Sequence, residues 1–330
     1  MTRLRFCAAA VIAIASATTA ASASGQEQQL LSVSARADND AFNFWLAAYN
    51  RPDEEYTSGV RGTLTYAGGA WWEAVLHKRA ASCGSAASRC ATRSYSFGQD
   101  MYTGQLVPGD TTHVPGTRPN AGWLYVQESS RVFTADHLNE TSITLGVTGP
   151  PALGESTQSF IHSIAPNFNR PIDWSVQIPF EPGLVLAYDR TQRILVHGEG
   201  SVFGGDVEPH AGASLGNILT EARAGIRVRE GFNLQHPWKA VPESSKPEIS
   251  FFIDGTMHAV ARNEFLAGTM FRSSPHVEER PFVPEYQAGM NVRWQRLTIT
   301  YSFERTASEY VTRPTGHTWS RLGAEWRIER

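Results

Sequence analysis

The sequence predicts an all-β protein, a transmembrane antiparallel β-barrel of about twelve strands, and three observations carry that expectation. Hydrophobicity alternates with a period of two: Trp174, Val176, Ile178 and Phe180 interleave with Ser175, Gln177, Pro179 and Glu181. Leu297, Ile299, Tyr301 and Phe303 interleave with Thr298, Thr300, Ser302 and Glu304 in the same way. A leader occupies residues 1–25, with Arg3 and Arg5 ahead of an apolar run from Ala8 to Ala17 and a small-residue cleavage site at Ala21-Ser22-Ala23. After it, no apolar stretch reaches the roughly 18 residues of a spanning helix, whereas a barrel strand needs only about 9–11. Residues 26–330 are therefore expected to form one barrel in the outer membrane of a bacterial cell. A soluble β-sandwich is the competing architecture.

The strands follow in order. The first, near 30–38, sets Leu31, Val33, Ala35 and Ala37 on one face, so Asp40 carries the lumen parity of Ser32, Ser34 and Arg36. Asn39 has the opposite parity and reaches the same place only if the strand bends. In the second, 56–66, outward Val60, Leu64 and Tyr66 turn Thr57, Arg61, Thr63 and Thr65 inward. The third, 93–102, ends at Gln99-Asp100-Met101-Tyr102-Thr103, and the fourth, 121–134, follows Arg118-Pro119-Asn120. The fifth, 139–149, turns at Gly149-Pro150-Pro151 and opens a short helix on which Gln158 and His162 share a face. The rest are expected near 173–189, 192–204, 207–229, 247–262, 276–293, 295–310 and 317–328, with Gln177 and Glu181 facing inward on the sixth. If the first strand starts in the periplasm, odd strands run outward, and the polar motifs converge on one extracellular rim.

Composition bounds the partners. Net charge is −3 and no basic run occurs, which argues against nucleic acid. Cys83 and Cys90 are the thiols left once Cys7 leaves with the leader, and in an oxidising compartment they are expected to form a local disulfide. The Asp53-Glu54-Glu55 run reads as a solvated loop face, and His113, His197, His210 and His258 lack metal-ligand spacing. A monomer is the default.

With these segments in hand, the chain resembles the outer-membrane lipid A 3′-O-deacylase family. The resembling stretches are RADNDAF (36–42), YTSGVR (56–61), FGQDMYT (97–103), RPNAGWLY (118–125), GVTGPPALGESTQSFIH (146–162), WSVQIPFEPGL (174–184) and LGNILTEARAGIRVREGFNL (215–234). The resemblance implies a twelve-stranded barrel that removes the 3′-linked acyloxyacyl chain of lipid A by calcium-dependent ester hydrolysis. It places the essential asparagine-aspartate pair on Asn39 and Asp40, the essential hydroxyl on Thr57, and the Gln-x-x-x-His pair on Gln158 and His162. Departures occur too: the family lysine has no counterpart in Gly104-Gln105-Leu106-Val107, and the usual tyrosine of the Arg-Pro-Tyr-Ala-Gly segment is Asn120. An acidic residue past the histidine in some members is replaced by Asn167 or Phe168.

Ester hydrolysis needs a water nucleophile, a base, and donors or positive charge at the oxyanion. His162 is the candidate base. Asp40, with Asn39 or main-chain carbonyls, offers calcium its preferred oxygens. Thr57 would orient water or complete the oxyanion site, and Gln158 would fix the imidazole or donate to the intermediate. Arg118 would contact a substrate phosphate or close a loop, and Glu181 is a luminal candidate for substrate binding. Ser156 and Ser159 lack the Gly-x-Ser-x-Gly context of a nucleophile. A phospholipase-like esterase and a non-catalytic barrel, such as a pore or adhesin, are the alternative functions.

Overall fold

A computed structural model describes residues 29–43, 54–73, 81–82, 89–107, 110, 112–164, 173–199, 201–238 and 246–328. The leader, Asp53, Asn167, Phe168 and Cys83, and with it the expected disulfide, lie outside the described residues.

Twelve strands form the barrel: β1 (Leu30–Asn39), β2 (Glu55–Ala67), β3 (Cys90–Thr103), β4 (Ala121–Phe133), β5 (His137–Thr148), β6 (Pro182–Gln192), β7 (Phe203–Gly216), β8 (Leu219–Phe232), β9 (Glu248–Asn263), β10 (Phe282–Trp294), β11 (Leu297–Thr306) and β12 (His317–Arg327). Each pairs antiparallel with its neighbours, and β1 closes the ring on β12 from Ser32 opposite Arg327 to Asn39 opposite Ser320. Closure leaves no long edge, which lipid would not tolerate. Ile194–His197 adds a short strand beside the start of β7, and Ala81–Ser82 pairs parallel with β3. The helix α1 (Gly154–Ile164) follows β5, and a single turn, α2 (Glu264–Ala267), follows β9.

The two faces of the wall differ in kind. Outward side chains are apolar and bare, such as Val60 at 55% exposure, Ile226 at 56% and Ile253 at 68%, as a lipid-facing surface requires. The lumen is crossed by ion pairs. Arg321 joins Asp38 at 3.0 Å to Glu304 at 2.7 Å, Arg229 joins Asp206 at 2.6 Å to Glu208 at 3.1 Å, and Arg223 joins Asp189 at 2.5 Å to Glu221 at 2.9 Å. Cations and carboxylates interleave because a charge shut away from water must be paired.

Three expected strands are corrected. Residues 173–181 are not the upper part of the sixth strand; they form a strap at the rim, with Trp174 and Ile178 buried and Ser175 and Phe180 exposed. Residues 192–204 are no barrel strand. The expected strand 207–229 is instead the hairpin of β7 and β8, turning on Asn217 and Ile218. The turn is hard to see in sequence because its needs are met from elsewhere: Asn217 Oδ1 accepts from the Leu184 N–H at 2.9 Å, and Ile218 is buried. Strand number and direction survive because the two errors offset one another.

Candidate active site

One corner of the rim is made by the ends of β1 and β2. Asn39 pairs with Ser58, and the chain then bends into a 3-10 turn, Asp40–Asn43. Asn39 Oδ1 accepts the Ala41 N–H at 2.7 Å, so its side chain makes the bend that its strand parity demanded. Asn43 ties the turn to β12, donating to the Thr318 carbonyl at 2.9 Å. Asp40 is buried, and its Oδ2 accepts from the Glu54 N–H at 3.3 Å. Thr57 is the extra residue of a β-bulge, since Tyr56 faces Tyr102 and Ser58 faces Met101 across the ladder. A bulge at a barrel rim re-aims a side chain. Here Thr57 Oγ1 meets Thr103 Oγ1 at 2.6 Å, with Thr57 buried.

Below this corner stand polar residues outside the set expected from the sequence. The Tyr56 hydroxyl lies 3.0 Å from Asp38 Oδ2 and 3.3 Å from Asp100 Oδ1, and Arg36 meets Asp38 at 3.3 Å. Asp38 shares the parity of Asp40 and could have been found by that signal. Tyr56 could not, because its inward direction depends on the bulge.

The second part of the candidate site is α1. Pro150–Ala152 forms a 3-10 turn and Leu153 adopts a left-handed conformation (φ 61°), which starts the helix across the barrel mouth. Gln99 Nε2 donates to the Ala152 carbonyl at 2.6 Å and fixes the helix start to β3. Gly154 rests on the Trp174 indole, where a Cβ would collide with the ring. Gln158 and His162, one turn apart, are both buried, and Gln158 Oε1 accepts from Trp174 Nε1 at 2.8 Å. Trp123, Tyr125, Ile178, Ile218 and Phe265 form the apolar floor beside this mouth.

The two remaining candidates hold loops. Arg118 is wholly buried, with Nη1 at 3.3 Å from Glu55 and 3.2 Å from Glu309, and its guanidinium covers the Tyr102 ring at 4.7 Å. Of the two roles open to it, closing a loop matches these contacts. Glu55, expected on a solvated face, is instead fully buried: it accepts from the Tyr310 hydroxyl at 2.7 Å and pairs with Arg313 at 2.5 Å. The correction has a plain cause, since two arginines and a phenol supply what water would have supplied. Glu181 is buried too, with Oε1 accepting from Asn217 at 2.9 Å and Oε2 from the Phe271 N–H at 3.2 Å. Beside it Glu264 accepts from the Thr148 hydroxyl at 2.9 Å. Burial, then the neighbouring Glu181 charge, push the Glu264 carboxyl up to about 7.

Asp40, Asn39 and Thr57 thus share one corner, and Gln158 and His162 share the helix at the same end of the barrel, while Arg118 and Glu181 bind loops around them. A closed, lipid-faced barrel with a buried polar group of this kind at one mouth is a bacterial outer-membrane barrel protein. Residues 6–328 match the family described as outer membrane protein LpxR, and the chain belongs to that family. LpxR from Salmonella typhimurium is similar in structure, with a TM-score of 0.71 at 19% identity over 90% of this chain and all of that one. The β domain of the Bordetella autotransporter BrkA aligns over 91% of this chain and 99% of its own, at 8% identity and a TM-score of 0.44. No curated protein sequence matches the chain.

Proposed function

We propose that the protein is a calcium-dependent ester hydrolase that removes the 3′-O-linked acyloxyacyl chain of lipid A in the outer leaflet of the outer membrane. The observation that carries this reading is the buried pair Gln158 and His162 on one face of α1, at the barrel mouth that Asp40 and Thr57 also reach, in a chain of the LpxR family.

In this reading His162 takes the proton of the attacking water, and Thr57 orients that water or steadies the oxyanion. Asp40 is a buried carboxylate in the turn Asp40–Asn43, next to the Asn39 amide, and such oxygens are the hard donors that calcium prefers. The ion, when bound, would polarise the ester carbonyl. Asn39 holds the turn that presents Asp40, and the bare apolar wall keeps the mouth level with the leaflet that contains the lipid.

Mass spectrometry of lipid A from cells with and without the protein tests the proposal. Loss of the 3′-linked acyl chains, abolished by chelating calcium, is expected. Unchanged lipid A accompanied by new lysophospholipid would replace this reading with a phospholipase-like one.

A further inference from the structure

Trp174 and Asn120 stand outside the catalytic set, yet a short chain of contacts leads from them to Gln158. An indole N–H can only donate, so the Gln158 atom 2.8 Å from it is the amide oxygen. That settles an orientation which at most glutamines is a matter of assignment. Both side chains are buried, and Trp174 cannot drift, because its ring lies under the first turn of α1 where Gly154 leaves room for it. The strap that carries Trp174 is held at its far end by Thr148, whose N–H donates to the Glu181 carbonyl at 2.9 Å, and near Trp174 by Asn120. Asn120 Nδ2 donates to the Asp173 carbonyl at 2.5 Å, the Asn120 N–H donates to the Val176 carbonyl at 2.9 Å, and the Ile178 N–H donates back to the Asn120 carbonyl at 3.0 Å. Asn120 Oδ1 also accepts from the Gly104 N–H at 2.8 Å, which locks the amide of Asn120 in turn.

We propose that Trp174 is a positioning residue, anchored through its strap by Asn120, that holds the Gln158 amide by its oxygen, so that Gln158 serves the site through its NH2 as a hydrogen-bond donor to the oxygen of the reacting carbonyl. The inference deepens the ester-hydrolase reading and rests on it. With its oxygen engaged by the indole, the amide supplies N–H donors, which is what a developing oxyanion needs. Asn120 gains a role of its own, as the rivet of the strap.

Three variants of the full-length protein in detergent, assayed on lipid A, test it. Gln158→Glu keeps an acceptor for Trp174 and removes the donor; kcat should fall about 10²-fold to 10³-fold. Trp174→Phe keeps the ring and removes the N–H; the freed amide can turn over, and kcat should fall about tenfold with KM little changed. The double variant should be no slower than Gln158→Glu alone, because orienting a donor has no value once the donor is gone. Wild-type kcat in Trp174→Phe, retained activity in Gln158→Glu, or losses that multiply in the double variant would each overturn the proposal. His162→Ala separates the two levels: activity retained there sinks the hydrolase reading itself. An inactive His162→Ala beside an unimpaired Trp174→Phe sinks only the positioning role. Should Trp174→Phe fail to fold, as judged by heat-modified gel mobility, Gln158→Glu still decides the donor role.

Discussion

The two halves of the candidate site are built in opposite ways. Asp40 and Thr57 sit at the ends of adjacent strands, and their direction follows from the ladder that joins Asn39 to Ser58, a bend at Asp40 and a bulge at Thr57. Gln158 and His162 sit on a helix outside the ladder, and their direction follows from what the helix lies on: Gln99 of β3, the Trp174 indole and the strap fastened to Asn120. A strand end inherits its geometry from backbone register, so it tolerates side-chain change nearby. A loop helix inherits its geometry from individual side chains, so single substitutions outside it are felt.

The largest effect is expected at the chemistry: His162→Ala should lower the rate of 3′-acyl release by about 10²-fold to 10⁴-fold, the range for a general base, with the barrel still resisting heat in detergent. Next comes the buried knot behind the strand corner. Arg118→Met leaves Glu55 and Glu309 without a shared cation and should cost about 3–5 kcal/mol, read as a lower thermal transition, whereas paired removal with Glu55→Gln should recover part of it.

A smaller effect, and one that separates two buried acids, concerns pH. Glu55 is met by two arginines, while Glu264 faces Glu181 and, more distantly, Arg262, with Thr148 its hydroxyl donor. Because the folded-state carboxyl of Glu264 is raised from 4.5 to about 7, its contribution is fully present below pH 4.5 and is lost as pH rises to 7. Hydrogen-exchange protection of residues 264–281, corrected for intrinsic rates, should fall by up to about tenfold per pH unit across that window and level off above it. Glu264→Gln should flatten the profile; an unchanged profile would remove Glu264 as its source. The smallest effect is expected from Thr57→Ser, which keeps the hydroxyl on a bulge set by the backbone and should change the rate less than about threefold, against a far larger loss for Thr57→Val.

How much of this was legible in the sequence follows the same division. The wall was readable because lipid-facing positions must be apolar at every second residue, and the parity argument put Asp40, Thr57 and Arg61 on the inside from one-dimensional information. It failed where non-local groups meet local needs. The turn at Asn217 and Ile218 is completed by Leu184, and the alternation of 174–180 belongs to a strap paired with Asn120 instead of a strand. Glu55 looked like a solvated acid because its cations lie 63 and 258 residues away along the chain. On the helix, the four-residue spacing exposed Gln158 and His162, but nothing in the spacing pointed to Trp174, whose bond to Gln158 arises from tertiary packing.

In the proposed function the strand corner and the helix act as one site. The direct test is a double-mutant cycle on initial rates of 3′-acyl release, using Asp40→Asn, His162→Gln and the two combined, at fixed calcium and saturating lipid A. The double variant is expected to be no slower than the slower single variant, as for residues that work as a unit. Losses that multiply would show two independent contributions and contradict it.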